Sequence, residues 1–436
     1  MTRWITVLLA LVCACTSVPV KYDSGPTGPN DGQRGGIPPD DNVSVREDLR
    51  TSGQPRVVIV SIDGCRWDYL NDEGLINLRA MMTQGAYADA VEVTTPSMTA
   101  PGHITLLTGA WSGTHGIVFN KFYDRQLGFV KFFGGLPPAE QTDYLLAEPV
   151  WATAEAAGLT TAAVHWAATA GEYEGRKVDF TATFDSSWSD EQRVAEGIRM
   201  LEEHDPDLLF IYTTGLSPAS YAHGTGSLQV MQRLHEIDGL IGKLRKTIQE
   251  SSRAATTTLM VVSDHGFGPP LKREICLSWL LTEANISYDF IVWGAIGQIF
   301  LTDPNDVVKA AALIEPLEGV ARVFSRTEAD ELHLATQNRT GDLLVLSEPG
   351  YQTANMWRSC DGPVVDVQTG YELEGTHGHP ASDHPDMRGI FIAAGPLIEP
   401  TTSGTIKQVD IAPTISTLLG IPRPAQTDGK PLEMGL

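Results

Sequence analysis

The sequence is poor in basic residues, and this shortage excludes one broad class of function. Its 436 residues contain 31 Lys and Arg against 54 Asp and Glu, which gives a formal net charge of −23. A protein whose main task is to hold nucleic acid needs clustered positive charge to contact phosphates. We therefore exclude a nucleic-acid scaffold. The 42% hydrophobic and 19% charged fractions are typical of a globular protein.

Cysteine is also scarce, and glycine and proline follow no fixed period. The 42 glycines and 27 prolines without a period exclude collagen and short repeats. Of the five cysteines, Cys13 and Cys15 fall in the first segment, which leaves Cys65, Cys276 and Cys360. Three cysteines cannot form a complete disulfide framework, although one bridge can form in an oxidising compartment. The spacing does not indicate which pair would form it.

No apolar run after the first reaches the length of a membrane span. The first starts after Arg3, runs uncharged from Ile5 to Val12 and is too short to span a bilayer, which is typical of a secretory signal. Residues 11–15 (LVCAC) resemble a bacterial lipobox, in which 1–14 are removed and a lipidated Cys15 becomes the mature N-terminus. Ordinary cleavage beside an accidental cysteine is the alternative.

A tether is expected to follow the signal. Residues 24–42 (SGPTGPNDGQRGGIPPDDN) show no apolar periodicity, so we predict a flexible segment over 15–54. We therefore expect an exported protein that is lipid-anchored in the cell envelope, in the periplasm or on the outer surface. Its contact with the membrane would be through the lipid anchor alone. The sequence leaves the oligomeric state open.

Short apolar segments predict the strands of a buried parallel sheet. Val57–Ile62 is nearly all apolar, as in a strand buried on both faces. Similar segments are Thr161–Trp166, Leu208–Tyr212, Thr258–Ser263 and Gly389–Ala394. Between the third and fourth of these five strands, apolar residues recur at spacings of three and four from Leu228 to Ile248, which predicts an amphipathic helix. The alternation of strands and helices predicts a doubly wound α/β domain over 55–286 and 352–436.

The stretch 287–351 has a different pattern. Short apolar segments at 299–301 and 343–346 flank one helical segment, which predicts a small α+β insertion. We expect this insertion to influence which substrate is selected.

A helix is also predicted after Thr99. Pro101 suits the first helical turn and Gly109 suits a C-cap, so Thr99 is predicted to be the N-cap. A hydroxyl at that position lies at the positive end of the helix dipole and beside free backbone N–H groups. The alternative is that Thr99 serves only as a cap.

Polar residues follow two of the predicted strands where ligands bind in open α/β sheets. Asp63 follows the first strand, and Asp264 and His265 follow Thr258–Ser263. Two carboxylates and an imidazole beside the Thr99 hydroxyl suit a divalent cation. Zinc could bind there and lower the pKa of the hydroxyl, which would make it a nucleophile. Taken alone, Asp63 could equally be a turn residue.

Together these blocks are similar to the type I phosphodiesterase/nucleotide pyrophosphatase family of the alkaline phosphatase superfamily. The most specific matches are IVSIDGCRWDYL at 59–70, TPSMTAPGHITLLTG at 95–109 and SGTHGIVFN with YD at 112–124. Shorter matches lie at 148–151, 263–266, 341–351 and 375–378. The resemblance extends from about Arg56 to Pro422.

The resemblance implies an alkaline-phosphatase-like fold, a doubly wound sheet flanked by helices, and a metal-dependent hydrolase of small phosphodiesters. One zinc ion would be held by Asp63, Thr99, Asp264 and His265. Thr99 would attack phosphorus and form a covalent phospho-threonine intermediate. Asn120 would bind the substrate by donating its amide to a non-bridging phosphate oxygen.

The sequence departs from the family pattern at the second metal site. The distant histidine of that site is matched by His377, but the aspartate and the other histidine are replaced by Ser217 and Tyr221. A hydroxyl and a phenol are poor zinc ligands, so this second site is degenerate.

Three explanations of the degenerate second site stay open at this point. A different site could be rebuilt from other histidines, for which the candidates are His223, His379 and His384. The enzyme could instead work with one metal and use His377 as acid or base. The chain could also be a catalytically impaired binding protein, a pseudoenzyme. Slow hydrolysis of the intermediate would favour phosphotransfer to another acceptor.

Overall fold

A central eight-stranded sheet organises residues 53–434, the part of the chain described by the structure, which is a computed structural model. In spatial order, its strands are Thr401–Lys407, Ala86–Glu92, Phe391–Ala394, Thr257–Val262, Arg56–Ile62, Leu208–Thr213, Thr161–Val164 and Phe180–Ala182. Only Phe391–Ala394 runs antiparallel to its neighbours. All five predicted strands belong to this mostly parallel sheet, which confirms the predicted α/β class.

Helices flank the sheet on both faces. The α-helices are Ile76–Gln84, Thr99–Thr108, Ser112–His115, Val150–Ala156, Asp190–His204, Leu216–His223, Leu228–Glu250, Leu277–Glu283, Val307–Ile314 and Ile411–Leu419. Short 3-10 helices cover Trp67–Asn71, Pro138–Tyr144, Ala254–Thr256, Pro304–Asp306, Arg326–Leu332, Pro385–Met387 and Gln408–Asp410. Within residues 53–434, no helix combines the length and the apolar character needed to cross a membrane.

The core lies in two apolar layers, one on each face of the sheet. Along Arg56–Ile62, Val57 and Ile59 pack into one layer, whereas Val58 and Val60 pack into the other. Successive side chains of a strand point to opposite faces, so burial on both faces requires the nearly continuous apolar run seen in the sequence.

The long helix Leu228–Glu250 packs on the second layer along the predicted stripe. Leu234, Ile237 and Ile241 are buried in that layer. Leu228 differs from the prediction, since its side chain is 70% exposed. It is the first residue of the helix, and Ser227 caps the helix by accepting a hydrogen bond from the Val230 N–H. The inward-facing stripe therefore begins at Val230.

The stretch 287–351 contains a separate antiparallel sheet. Its strands are, in spatial order, Tyr288–Val292, Ile296–Leu301, Leu343–Ser347 and Val320–Ser325, and the helix Val307–Ile314 packs against one face. The other face, which includes Phe290 and Phe300, joins the main apolar layer of the central sheet. This stretch therefore packs against the central domain; its boundaries as an insertion stay a prediction.

The smaller sheets and the disulfide lie next to this region. A three-stranded sheet is formed by Arg273–Ile275, Tyr351–Thr353 and Val364–Asp366, and two-stranded hairpins pair Phe122–Asp124 with Gly128–Val130 and Glu172–Tyr173 with Arg176–Lys177. Cys276 and Cys360 form a disulfide, and Cys65 is a free, buried thiol. The structure thus selects the pair that the spacing left open. The predicted signal 1–14, the lipidated Cys15 and nearly all of the 15–54 tether lie outside the described residues.

Candidate metal centre and active site

Two parallel strands deliver three potential metal ligands to one point. Arg56–Ile62 and Thr257–Val262 pair in register, and Asp63 directly follows the first strand while Asp264 and His265 follow the second after one serine. One ligand atom from each of the three lies within 4.8 Å of the others, and all three side chains are buried. Within residues 53–434, no other group of three His, Cys, Asp or Glu side chains meets this criterion.

The electrostatics of this group favour a bound cation. Asp63 Oδ1 and Asp264 Oδ2 are buried without a hydrogen-bond partner, 3.6 and 3.3 Å from His265 Nε2. Burial, together with the charge of Asp264, raises the pKa of Asp63 well above its usual range. Burial alone raises the pKa of Asp264 to about 7 and lowers the pKa of His265 to about 4. Because two buried carboxylates are costly without a counter-charge, the donor set fits a divalent cation.

The orientation of the His265 ring leaves its Nε2 atom free for a ligand. His265 Nδ1 lies 2.8 Å from the Gly266 carbonyl oxygen and donates to it, so Nε2 carries the lone pair. Asp264 is fixed as well, because its Oδ1 accepts hydrogen bonds from the backbone N–H groups of Gly64 and His265. The oxygen and nitrogen atoms without partners therefore converge on one point.

Thr99 lies at this point but is not the N-cap. The helix spans Thr99–Thr108, Met98 is its N-cap in an extended conformation, and the Gly102 N–H donates the first helical hydrogen bond to the Met98 carbonyl. The Thr99 hydroxyl forms no capping bond and lies 3.4 Å from His265 Nε2. The predicted N-cap is therefore wrong by one residue. Pro101 in the first turn and the left-handed Gly109 at the C-cap agree with the sequence.

The helix Thr99–Thr108, which we name the Thr99 helix, touches the loop that carries Asp264 directly. A Cβ atom on Gly102 would lie 2.5 Å from the Asp264 carbonyl oxygen, so only glycine fits at this contact. His103 Nδ1 donates to the Thr99 carbonyl at 2.7 Å, and Gln408 Nε2 donates to the Asp264 carbonyl at 2.9 Å. The close contact at Gly102 and the 3.5 Å separation of His103 Nδ1 from Asp264 Oδ2 fix the helix end relative to Asp264.

Asn120 presents its amide nitrogen beside the same helix end. Its Oδ1 accepts a hydrogen bond from the Ala100 N–H at 2.8 Å, which orients the side chain and leaves the NH2 group available. Asn120 lines a cavity of about 200 Å³ together with Tyr221, His377, Lys121 and Trp293. A phosphate in this cavity could accept a hydrogen bond from Asn120.

The residues at the positions predicted to form a degenerate second site lie beside the three potential metal ligands. The His377 ring stacks on His265 with centroids 3.9 Å apart, and its Nδ1 donates to the Ser97 carbonyl. His377 Nε2 therefore accepts from the Tyr221 hydroxyl, 2.5 Å away. Ser217 is buried one turn before Tyr221 on the helix Leu216–His223. A hydrogen bond from its side chain to Asp63 partly offsets the rise in the pKa of that carboxyl that burial causes.

The three replacement histidines considered from the sequence do not join the three potential metal ligands. His223 is exposed, whereas His379 is buried with its ring 4.9 Å from that of His384. None of the three belongs to the potential metal-binding group found in residues 53–434.

Sequence reasoning missed several supporting residues. Tyr212 donates from its hydroxyl to Asp63 Oδ2, and its place at the end of a predicted strand could have signalled this. His103 lies one helical turn after Thr99 and could have been found by that spacing. Ser97 and Gln408 act through contacts distant in sequence, for which the chain carries no local signal.

Comparison with known proteins gives a consistent result. The family model described as type I phosphodiesterase/nucleotide pyrophosphatase matches residues 57–380. Mouse ectonucleotide pyrophosphatase/phosphodiesterase family member 7 is 25% identical over 396 residues, covering 87% of this chain and 86% of that protein. The human family member 1 is 24% identical over 398 residues, but these span only 41% of its length. An uncharacterised pyrophosphatase/phosphodiesterase of Schizosaccharomyces pombe is 25% identical over 356 residues, which cover 78% of this chain and 71% of that protein.

The fold is also shared with solved structures. An inactive variant of murine ectonucleotide pyrophosphatase/phosphodiesterase 5, in complex with AMP, superimposes with a TM-score of 0.73 at 22% identity. The match covers 85% of this chain and 96% of that one. At this identity, the likeness establishes the architecture alone.

Proposed function

The chain belongs to the type I phosphodiesterase/nucleotide pyrophosphatase family, and on that premise we propose that it is a metal-dependent hydrolase of small phosphodiesters with Thr99 as its nucleophile. The observation that carries the proposal is the Thr99 hydroxyl, 3.4 Å from His265 Nε2, beside two buried carboxylates with unpartnered oxygens. Asn120 contacts the start of the helix that carries Thr99, and the His377 ring, which lines the same cavity as Asn120, stacks on His265, so the three proposed functions lie next to one another.

We assign the metal as zinc, held by Asp63, Asp264, His265 and the Thr99 oxygen. When bound, it would lower the pKa of the Thr99 hydroxyl and stabilise negative charge on the phosphoryl group. Oxygen and nitrogen donors of this kind are common zinc ligands.

The residues of the chain then divide the reaction into two displacements. The Thr99 oxygen forms a bond to phosphorus while the bond to the leaving oxygen breaks, which gives a phospho-threonine intermediate. Asn120 donates its amide N–H to a non-bridging oxygen, where negative charge develops. Water then attacks phosphorus, and the Thr99 oxygen leaves.

We propose that the protein uses one metal ion, with His377 and Tyr221 serving the leaving group. The Tyr221 hydroxyl already donates to His377 Nε2, the imidazole atom that a second ion would need. Because Nδ1 is engaged with the Ser97 carbonyl, the pair is held in one tautomer. In this role the Tyr221 hydroxyl would turn its proton from His377 Nε2 to the leaving oxygen, and the phenolate so formed would take a proton back from the attacking water.

Turnover of bis(p-nitrophenyl) phosphate with added zinc tests the nucleophile. Thr99→Ala should lose nearly all activity, whereas Thr99→Ser should retain a measurable rate and a serine-linked phosphoryl group detectable by mass spectrometry. Equal rates for the wild type and Thr99→Ala would refute the assignment of Thr99. Zinc bound to an inactive wild type would instead identify a pseudoenzyme, and product transfer to an added alcohol in preference to water would identify a phosphotransferase.

We also propose that the protein is exported and lipid-anchored through Cys15. The lipobox-like segment supports this, and the Cys276–Cys360 disulfide suits an oxidising compartment. The variant Cys15→Ser should be released from the membrane fraction. A variant that stays in the membrane fraction would contradict the proposed lipid anchor.

A further inference from the structure

A second cavity, of about 420 Å³, lies at the end of the central sheet opposite the potential metal ligands, and we name it the distal cavity. Thr257 lines it and begins the strand Thr257–Val262, whose other end leads to Asp264. A strand rises about 3.3 Å per residue, so roughly 20 Å separates Thr257 from Asp264. A ligand in the distal cavity therefore lies apart from the site proposed for hydrolysis.

The distal cavity is lined by both apolar and polar side chains. Met81, Ile248 and Leu259 form its apolar wall, and each is at most 6% exposed. Arg245 and Gln84 line the same cavity with polar groups. Small-molecule sites typically enclose about 300–1,000 Å³ and combine an apolar lining with a few polar groups that orient the ligand. The size and the lining of the distal cavity fit that description.

Within residues 53–434, Arg245 is a cation without an acidic partner, and its guanidinium donates only to the Gln84 side-chain oxygen. By contrast, Lys243 and Lys246 on the same helix each pair with a glutamate. A guanidinium carries five N–H donors in a planar fork whose geometry matches a carboxylate. The donors that Gln84 does not occupy are therefore available to an anionic head group.

We propose that the distal cavity binds an aliphatic carboxylate, with its head group on Arg245 and its chain against the apolar wall. The guanidinium can donate two parallel hydrogen bonds to a carboxylate, and the Gln84 NH2 group can donate to the same head group. Each CH2 buried against the wall should strengthen binding about fourfold. An inorganic anion would leave the wall uncovered, and Arg245 would repel a cationic amphiphile. This second site does not depend on the proposed hydrolysis.

Isothermal titration calorimetry of the zinc-loaded protein with hexanoate, octanoate and decanoate tests the site. We expect one molecule per chain and an affinity that rises about 15-fold with each two-carbon step. Octanol has the same chain without the charge and should bind about tenfold more weakly than octanoate. Octyltrimethylammonium should not bind. No binding of octanoate, or equal affinities for octanoate and octanol, would overturn the proposal.

Arg245→Met tests the head-group contact. Methionine keeps an apolar stem but removes the guanidinium, so the affinity for octanoate should fall about tenfold while that for octanol stays unchanged. The matched control is Arg199→Met, an arginine on the helix Asp190–His204 that pairs with Glu196 and Glu203. It should leave both affinities unchanged. Octanoate bound equally tightly by Arg245→Met and the wild type would exclude Arg245 as the head-group ligand.

Ala255→Trp tests the location of the ligand. Ala255 lines the distal cavity and is exposed, so an indole there can fill the cavity without entering the core. The affinity for octanoate should fall at least tenfold, with the urea midpoint unchanged. Ala156→Trp, at an exposed alanine that does not line the cavity, is the matched control and should bind octanoate as the wild type does. Octanoate bound with wild-type affinity by both Arg245→Met and Ala255→Trp would lie elsewhere, for example on the zinc, and the proposal would be wrong.

Discussion

Gly102→Ala should damage activity and stability together, because this glycine sets the distance between the Thr99 helix and Asp264. A Cβ atom there would lie 2.5 Å from the Asp264 carbonyl oxygen and 2.9 Å from the Asp264 Cβ, whereas ordinary van der Waals contact begins at 3.4 Å. Asp264 cannot move away easily, since it is fully buried and Gln408 holds its carbonyl. The helix itself must therefore shift by up to about 0.9 Å.

The size of the effect follows from this displacement. Overpacking of a well-packed contact costs roughly 1–3 kcal/mol in the free energy of unfolding. Thr99 begins the helix, so its oxygen moves relative to Asp63, Asp264 and His265. A misplacement approaching 1 Å at reacting groups costs on the order of 100-fold in rate. We expect kcat/KM for bis(p-nitrophenyl) phosphate to fall by about that factor, with reduced zinc affinity.

Gly239→Ala is the matched control, with the opposite expected sign. Gly239 is exposed within the helix Leu228–Glu250, and its Cβ would meet no atom within 4 Å. Alanine there should stabilise the protein by about 0.5–1 kcal/mol and leave kcat unchanged. Urea denaturation, kcat/KM and zinc content would be measured for both variants. A Gly102→Ala protein as stable and as active as the wild type would refute the contact on which the reasoning depends.

Three further predictions concern the metal, the second site and the disulfide. Because burial raises the pKa of Asp264 from 3.8 to about 7, the stability that this carboxyl contributes to the metal-free protein is complete in acid and is lost as the pH rises through that range. Chelation should therefore lower Tm more at about pH 8 than at about pH 5; an equal loss at both would contradict this. The double variant Ser217→Asp with Tyr221→His should raise the zinc content from about one to about two per chain by metal analysis, and an unchanged content would exclude a second site there. Replacing Cys276 and Cys360 by serine should cost about 4–5 kcal/mol in urea unfolding, since the bridge spans 84 residues, and a loss below about 1 kcal/mol would contradict that role.

The sheet and the three potential metal ligands could be predicted because their signals are local. A strand buried on both faces must be apolar throughout, so Val57–Ile62 and Thr258–Ser263 are visible in the sequence, and the carboxylates that follow them mark the strand ends. The predicted N-cap, Thr99, was wrong by one residue. Which residue is the N-cap depends on which carbonyl accepts the first helical hydrogen bond, and the sequence alone does not determine this.

The rest of the site could not be predicted because it depends on contacts between distant segments. The Tyr221–His377 hydrogen bond joins residues 156 positions apart; the family resemblance assigns both positions to one site, but no local pattern predicts the bond between them. The same holds for Lys121 and Trp293, which meet only when the 287–351 stretch packs beside the hairpin that begins at Phe122. The choice of Cys276 and Cys360 as the disulfide pair is likewise a matter of tertiary distance.

Charge balance at the centre is consistent with one metal ion. Asp63 and Asp264 supply two negative charges, which one divalent cation neutralises. Burial raises the pKa of the Tyr221 phenol and lowers that of His377, so both stay neutral and give a second cation no anionic ligand. In a chain with a net charge of −23, a phosphodiester anion must therefore be attracted by local positive charge. Lys121 lines the cavity beside Asn120 and, among the residues from 53 to 434, belongs to no ion pair, so its ammonium is one local source of that attraction.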